Sequence, residues 1–138
     1  MSYSLAFTQA VAITMRVGAR NFLERAEFVS SKELSETLCI PRPTIVSIIT
    51  KLTNAKILIT KEGINGGVRL SRKPTEITLY DVFEAIESSK PLFRRDMKVD
   101  IDEERLERVI TKLGSVLDQA EEAMKNELKK TLIAELFC

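Results

Sequence analysis

The stretch TKEGINGGVRLSR, residues 60–72, places Gly63, Gly66 and Gly67 within five positions and frames them with Lys61, Arg69 and Arg72. Residues of these types do electrostatic rather than covalent chemistry. The cations neutralise anions, and the glycines let backbone approach a partner closely. From Arg42 to Lys73 there are seven Lys or Arg against Glu62 alone, a balance of +6, which leaves −5 for the rest of a chain whose total is +1. Such segregation suits a polyanion-binding face on an otherwise acidic protein, although a merely solvated basic surface has the same composition. A phosphate-cradling nucleotide loop is disfavoured, because GINGG runs into an apolar alternation rather than a helix start and lacks the following Lys-Ser/Thr.

Covalent chemistry has little to work with. The chain contains no histidine, so an imidazole base or a catalytic triad is absent, and an enzyme is not expected. The pairs Glu103/Glu104 and Glu121/Glu122 are neighbours along a helical stretch, where adjacent side chains do not face one another. Cys39 and Cys138 form no spaced motif, and a zinc site would have to be completed by carboxylates, so neither a metal nor another cofactor is expected. No apolar run approaches the ~18 residues of a membrane helix. The first residues lack the pattern of a secretory signal, and a cytoplasmic location is the expectation.

The elements that must position the basic residues can be read from periodicity. A chain of 138 residues is the size of one domain, and 44% apolar with 30% charged residues suits a packed core under a solvated surface. Leu5, Ala12, Met15, Ala19, Phe22 and Leu23 recur at helical spacing and predict an amphipathic first helix. Ser31 is the predicted N-cap of a short helix ending near Leu38. Pro41 and Pro43 break that helix, and Pro43 suits the first turn of a second one, running to about Ala55. Its buried stripe would be Ile45, Ile48, Ile49 and Leu52, leaving Arg42, Thr44, Ser47, Lys51 and Asn54 largely outside. Two helices joined by so short a turn make a helix-turn-helix.

Ile57–Lys61 is β-branched and apolar, and Val68–Ser71 alternates with period two. Asn65-Gly66 between them is a strong hairpin signal. A hairpin directly after a helix-turn-helix is a wing. Thr78 and Asp81 then predict a capped helix that buries Leu79, Val82, Phe83 and Ile86. Residues 89–100 read as a connection broken by Pro91. Asp102 is the expected cap of a long helix with Glu103 and Glu104 in its first turn. Leu106, Ile110, Leu113, Leu117, Ala120 and Met124 step by four and three along it, widened by Val109, Val116 and Ala123. A second copy of the same helix would cover this seam in a two-fold dimer; folding back on its own domain is the alternative. TLIAELF closes the chain as a short apolar helix.

The fold expectation is mainly α with a small β-hairpin: a winged helix-turn-helix over 1–88, then a connection, a dimerisation helix and a short helix over 89–138. The run from SSKELSETLCIPRPTIV through ITKEGINGGVRLSR to ITLYDVFEAIE resembles the bacterial winged-helix regulators of the IscR, NsrR and CymR family, and the closing AMKNELKKTLIAELF looks like its cluster-free, YwnA-like members. The resemblance implies a homodimeric repressor on a palindromic double-stranded DNA operator. Arg42, Pro43 and Thr44 would approach the major groove, and Lys61, Asn65 and Gly66 the minor groove or its phosphates. Ser31 joins the expected contact set.

Beside this, the residues assign phosphate neutralisation to Lys51, Lys61, Arg69 and Arg72 and base reading to Arg42, Thr44 and Ser47. Cluster-binding relatives carry three cysteines between the fourth and the long helix; residues 87–105 here contain none, so an iron–sulfur cluster held that way is not expected. Glu62 stands where the family often has a basic residue, with Lys61 the expected substitute. Cys39 lies in the helix-turn-helix turn, where glycine is common, and reads as a small buried packing residue or else as a redox switch. A small-molecule or protein effector is compatible with the sequence. The alternative function is a winged-helix module that binds an acidic partner protein.

Overall fold

The computed structural model describes residues 5–88, 91–95 and 104–137. In chain order it forms α1 (Ala6–Phe22), α2 (Ser31–Leu38), α3 (Arg42–Asn54), β1 (Leu58–Lys61), β2 (Gly67–Leu70), a 3-10 turn (Pro74–Glu76), α4 (Leu79–Glu87), α5 (Glu104–Leu128) and α6 (Ala134–Phe137). This is the expected winged helix-turn-helix followed by a long helix. The expected Asp102 cap, Glu103 and Cys138 lie outside the described residues.

The core gathers one face from each early helix. Ile45, Ile48, Ile49 and Leu52 of α3 are buried, as their spacing predicts, and meet Leu34 of α2 and Val82 and Ile86 of α4 in one cluster. α1 is a helix, but its buried face differs from the expected stripe. Ala10, Ile13, Thr14, Val17 and Gly18 are inside, whereas Leu5, Phe22 and Leu23 are exposed. The small residues let neighbouring elements come close, and the Thr14 hydroxyl is satisfied within the helix by donating to the Ala10 carbonyl at 2.8 Å. Phe7 meets Phe83 of α4 edge-to-face, 5.6 Å between centroids.

Caps decide where the helices start. The N-cap of α2 is Ser30, not Ser31: the Ser30 hydroxyl accepts from the Glu33 N–H at 3.1 Å, while Ser31 is already helical. Ser30 has the extended backbone (ψ 153°) that a cap needs. At α4 the box is complete, with Asp81 N–H donating to the Thr78 hydroxyl and Thr78 N–H donating to the Asp81 carboxylate.

The hairpin pairs Leu58 with Leu70 through Lys61 with Gly67, antiparallel. The connection is therefore the five residues 62–66, rather than a two-residue turn centred on Asn65-Gly66. Positive φ falls at Gly63 (+105°) and Gly67 (+140°), and not at Asn65. Gly67 is required twice over, because a Cβ there would also strike the backbone of Val29. That contact is a third, minimal strand. Val29 and Val68 exchange both backbone hydrogen bonds, at 2.9 and 2.8 Å, fastening the α1–α2 connection to the wing.

The end of the chain returns to this body. Leu79 N–H donates to the Thr131 carbonyl at 2.9 Å and Ile133 N–H to the Ile77 carbonyl at 2.8 Å, and Ile133 is fully buried in the core. α5 does the opposite. None of its described residues is buried.

Candidate nucleic-acid interface

α3 is the second helix of the helix-turn-helix, and four apolar residues fix its inner face. Its outer face is thereby set: Arg42, Pro43, Val46, Ser47, Thr50, Lys51 and Asn54 are exposed, and Thr44 is half-buried. Pro43 stands in the first turn, where its missing N–H costs nothing. Val46, 50% exposed, was not singled out from the sequence, yet it stands among the polar residues as the apolar member of the set.

Between this face and the wing lies a cleft of about 660 Å³ lined by Ser31, Lys32, Arg42, Val46, Thr50, Lys61 and Ile64 among others. The Thr53 and Thr60 hydroxyls meet at 3.0 Å and tie α3 to β1 across it. Gly66 is there because a Cβ would collide with the Lys61 carbonyl as the chain doubles back.

The basic residues of the wing are ordered by an aromatic ring. Lys61 Nζ lies 5.3 Å from the Phe28 centroid and the Arg69 guanidinium carbon 5.9 Å from it. Phe28 precedes the Val29 bridge, so the link that fastens the wing also places the ring. Sequence reading missed Phe28, and a single aromatic in a loop carries no periodic signal. Arg20 of α1 holds Glu33 of α2 through two bonds, at 2.8 and 3.2 Å, which fixes the start of the helix-turn-helix. That hydrogen bond to Glu33 holds the Arg20 guanidinium still more firmly protonated than usual.

The other expected contacts divide. Arg72 is turned away from the cleft onto the start of α4, donating to the Glu76 carbonyl at 2.9 Å and lying 3.6 Å from the Asp81 carboxylate. It lines a second cleft of about 420 Å³ together with Lys51, Asn54, Tyr80 and Glu84. There the hydrogen bond to Glu84, and then burial, push the Tyr80 phenol above its ordinary range. Lys51 and Arg72 therefore belong to a different surface from Lys61 and Arg69. Cys39 is exposed, contrary to the packing role expected of it. Its backbone is left-handed (φ 55°), the conformation that ends α2 and that glycine adopts most readily, so backbone geometry rather than packing sets the position.

Along α5, Leu106, Leu117 and Met124 are half-buried while Ile110, Leu113 and Ala120 are exposed, with Val109 and Val116 beside them. Residues 91–95 lie against the same helix: Leu92 N–H donates to Glu121, and Arg95 pairs with Asp118.

Residues 4–138 match the model of a family described as Rrf2, iron-dependent transcriptional regulator. The chain belongs to the Rrf2 family. Among solved structures, CymR, the global cysteine regulator of B. subtilis, superposes with a TM-score of 0.71 over 99% of this chain and 96% of its own, at 20% identity. T. potens IscR superposes with a TM-score of 0.68 over 99% and 85%, also at 20% identity. These likenesses concern the fold. By sequence, a protein of Aquifex aeolicus named as an HTH-type transcriptional regulator is 27% identical over 78 residues, which are 56% of this chain and 54% of that protein. The chain thus spans about half the length of that relative.

The iron in the Rrf2 description does not find its usual donors. The chain has two cysteines and no histidine. Among the described residues no three His, Cys, Asp or Glu side chains gather as a metal site. The donor set does not fit a thiolate-held iron–sulfur cluster. No helix among the described residues is long and apolar enough to cross a membrane.

Proposed function

We propose that this Rrf2-family regulator is a homodimeric, sequence-specific DNA-binding repressor that works without an iron–sulfur cluster. The observation that carries the reading is the pairing of an outward α3 face with a wing whose cations, Lys61 and Arg69, are held on the Phe28 ring. Arg42 reads a guanine edge, a bidentate contact worth about 1–3 kcal/mol of discrimination. Ser47 and Thr50 hydrogen-bond neighbouring bases, and Val46 suits a thymine methyl group. Lys61 and Arg69 neutralise phosphates and set the salt dependence of affinity. Lys51 and Arg72, being on the α4 side, meet at most the flanking backbone.

The exposed Ile110, Leu113 and Ala120 of the α5 seam, with Val109 and Val116 beside them, support the dimer. Two copies paired on that seam present two α3 helices to half-sites about one helical turn apart, or a multiple of that, and so select a palindrome. A dimer clamped across such a site keeps other proteins off it, which is repression. Titration with genomic fragments at several salt concentrations tests the reading. A preferred palindromic fragment and an affinity falling steeply with salt are expected. A flat salt response, or no fragment bound above random duplex, overturns it.

A further inference from the structure

At the apex of the wing, between Gly63 and Asn65, Ile64 is 104% exposed, the most exposed large apolar side chain among the described residues. The apex is a closed loop rather than a loose one. The Gly66 N–H donates to the Gly63 carbonyl at 3.0 Å, the ladder stops at Lys61 and Gly67, and Gly67 is pinned against Val29. Isoleucine is β-branched and stiff about its first side-chain torsion, so what projects is a blunt, ordered apolar tip. The only charge within residues 62–66 is Glu62, an acid, so phosphate attraction cannot hold the apex itself on DNA. Its cationic supports, Lys61 and Arg69, stand behind it on Phe28. The wing thus carries positive charge at its base and apolar surface at its end.

We infer that Ile64 is a wedge: with Lys61 and Arg69 on the phosphates, it enters the minor groove and partly unstacks one base step. This rests on the DNA-binding reading above. Apolar side chains inserted in this way kink the duplex and favour steps that unstack easily. Pyrimidine–purine steps such as TA and CA deform most readily, so Ile64 creates a sequence preference at a position where no hydrogen bond is made.

The test uses the full chain and the duplex it selects from a randomised pool, labelled at both ends so that bending is read by energy transfer. Derivatives of that duplex carry TA, CA, AA or GC at the step beneath the wing, located by footprinting. The wild-type protein is expected to bend the duplex and to prefer TA and CA over the stiffer steps by roughly five-fold or more. Ile64→Ser, at a site with no packing to lose, is expected to keep its thermal stability and salt slope while the bend and the preference both collapse. If Ile64→Ser bends and discriminates like the wild type, or if the wild type binds its selected duplex straight, the wedge is overturned and DNA binding stands. Failure of the wild type to enrich any duplex overturns the DNA-binding reading, and the wedge falls with it.

Discussion

α3 and α5 are both amphipathic helices, and the chain treats them oppositely. α3 has 13 residues and buries four large apolar ones completely or nearly so. α5 has 25 residues and buries none, leaving Val109 at 57%, Leu113 at 48% and Val116 at 52% exposure. Composition does not explain the contrast, since both carry aliphatic residues on one face. The difference lies in what is available to cover them. α1, α2 and α4 pack against α3, whereas α5, about 37 Å long at 1.5 Å per residue, is met by α4 and by residues 91–95 and has no buried residue. The exposed part of its apolar stripe is a surface open to another chain. The winged helix is stabilised from within, whereas the proposed dimer would cover the exposed side of the α5 rod.

Substitutions on the two helices are expected to cost different properties. Leu52→Ala, at a fully buried site of α3, removes transfer energy and leaves a cavity, at an expected cost of about 2–5 kcal/mol in chemical unfolding. Leu113→Glu on α5 is expected to leave unfolding of the winged-helix body nearly unchanged, while sedimentation shows the mass halved. Affinity for a palindromic duplex should then fall by roughly 10²-fold or more, because two linked half-site contacts become one. An α5 variant that loses stability without losing mass would mean that the rod packs on its own body after all.

The two regions also differed in how much of them could be read beforehand. Ile45, Ile48, Ile49 and Leu52 announce themselves because a helix with one neighbour-facing side must repeat every 3.6 residues. Thr78 with Asp81 announces a cap because the chemistry is local. The α5 stripe follows the same periodicity, but of its six residues Ile110, Leu113 and Ala120 are exposed while Leu106, Leu117 and Met124 are half-buried. What escaped was everything set by long-range contact. The Val29–Val68 bridge is one residue wide and leaves no alternation, and with it went Phe28, on which the wing cations rest. α1 was misphased because apolar residues lie around much of its circumference, and its buried side includes the small Ala10 and Gly18. Asn65-Gly66 signalled a tight turn, but closure of the loop on Gly63 and Gly67 took the positive φ values instead.

Gly67→Ala is expected to act on the wing and leave α5 untouched. The new Cβ would meet Val29 and the backbone would be held at φ +140°, so an expected cost of about 1–3 kcal/mol is concentrated in the wing and the α1–α2 connection. Hydrogen exchange should show the Val29 and Val68 amides opening while α5 is unaffected. Binding to duplex should weaken with the dimer intact. Were the mass to change instead, the wing and the rod would not be separable.

The smallest expected effect falls at the junction of the two regions. Thr78 caps α4 with its hydroxyl, while the segment it sits in carries the end of the chain through the Leu79–Thr131 and Ile77–Ile133 backbone bonds. Thr78→Ala removes the cap and spares those bonds, so it should cost about 1 kcal/mol of stability, with dimer mass and salt slope unchanged. The side chain and the backbone at this position thus serve different regions. Thr78→Ser restores the hydroxyl and should restore the stability. If Thr78→Ala instead loosens the dimer, the cap is transmitting strain from α4 through Ile133 into the rod, and α3 and α5 belong to one cooperative unit.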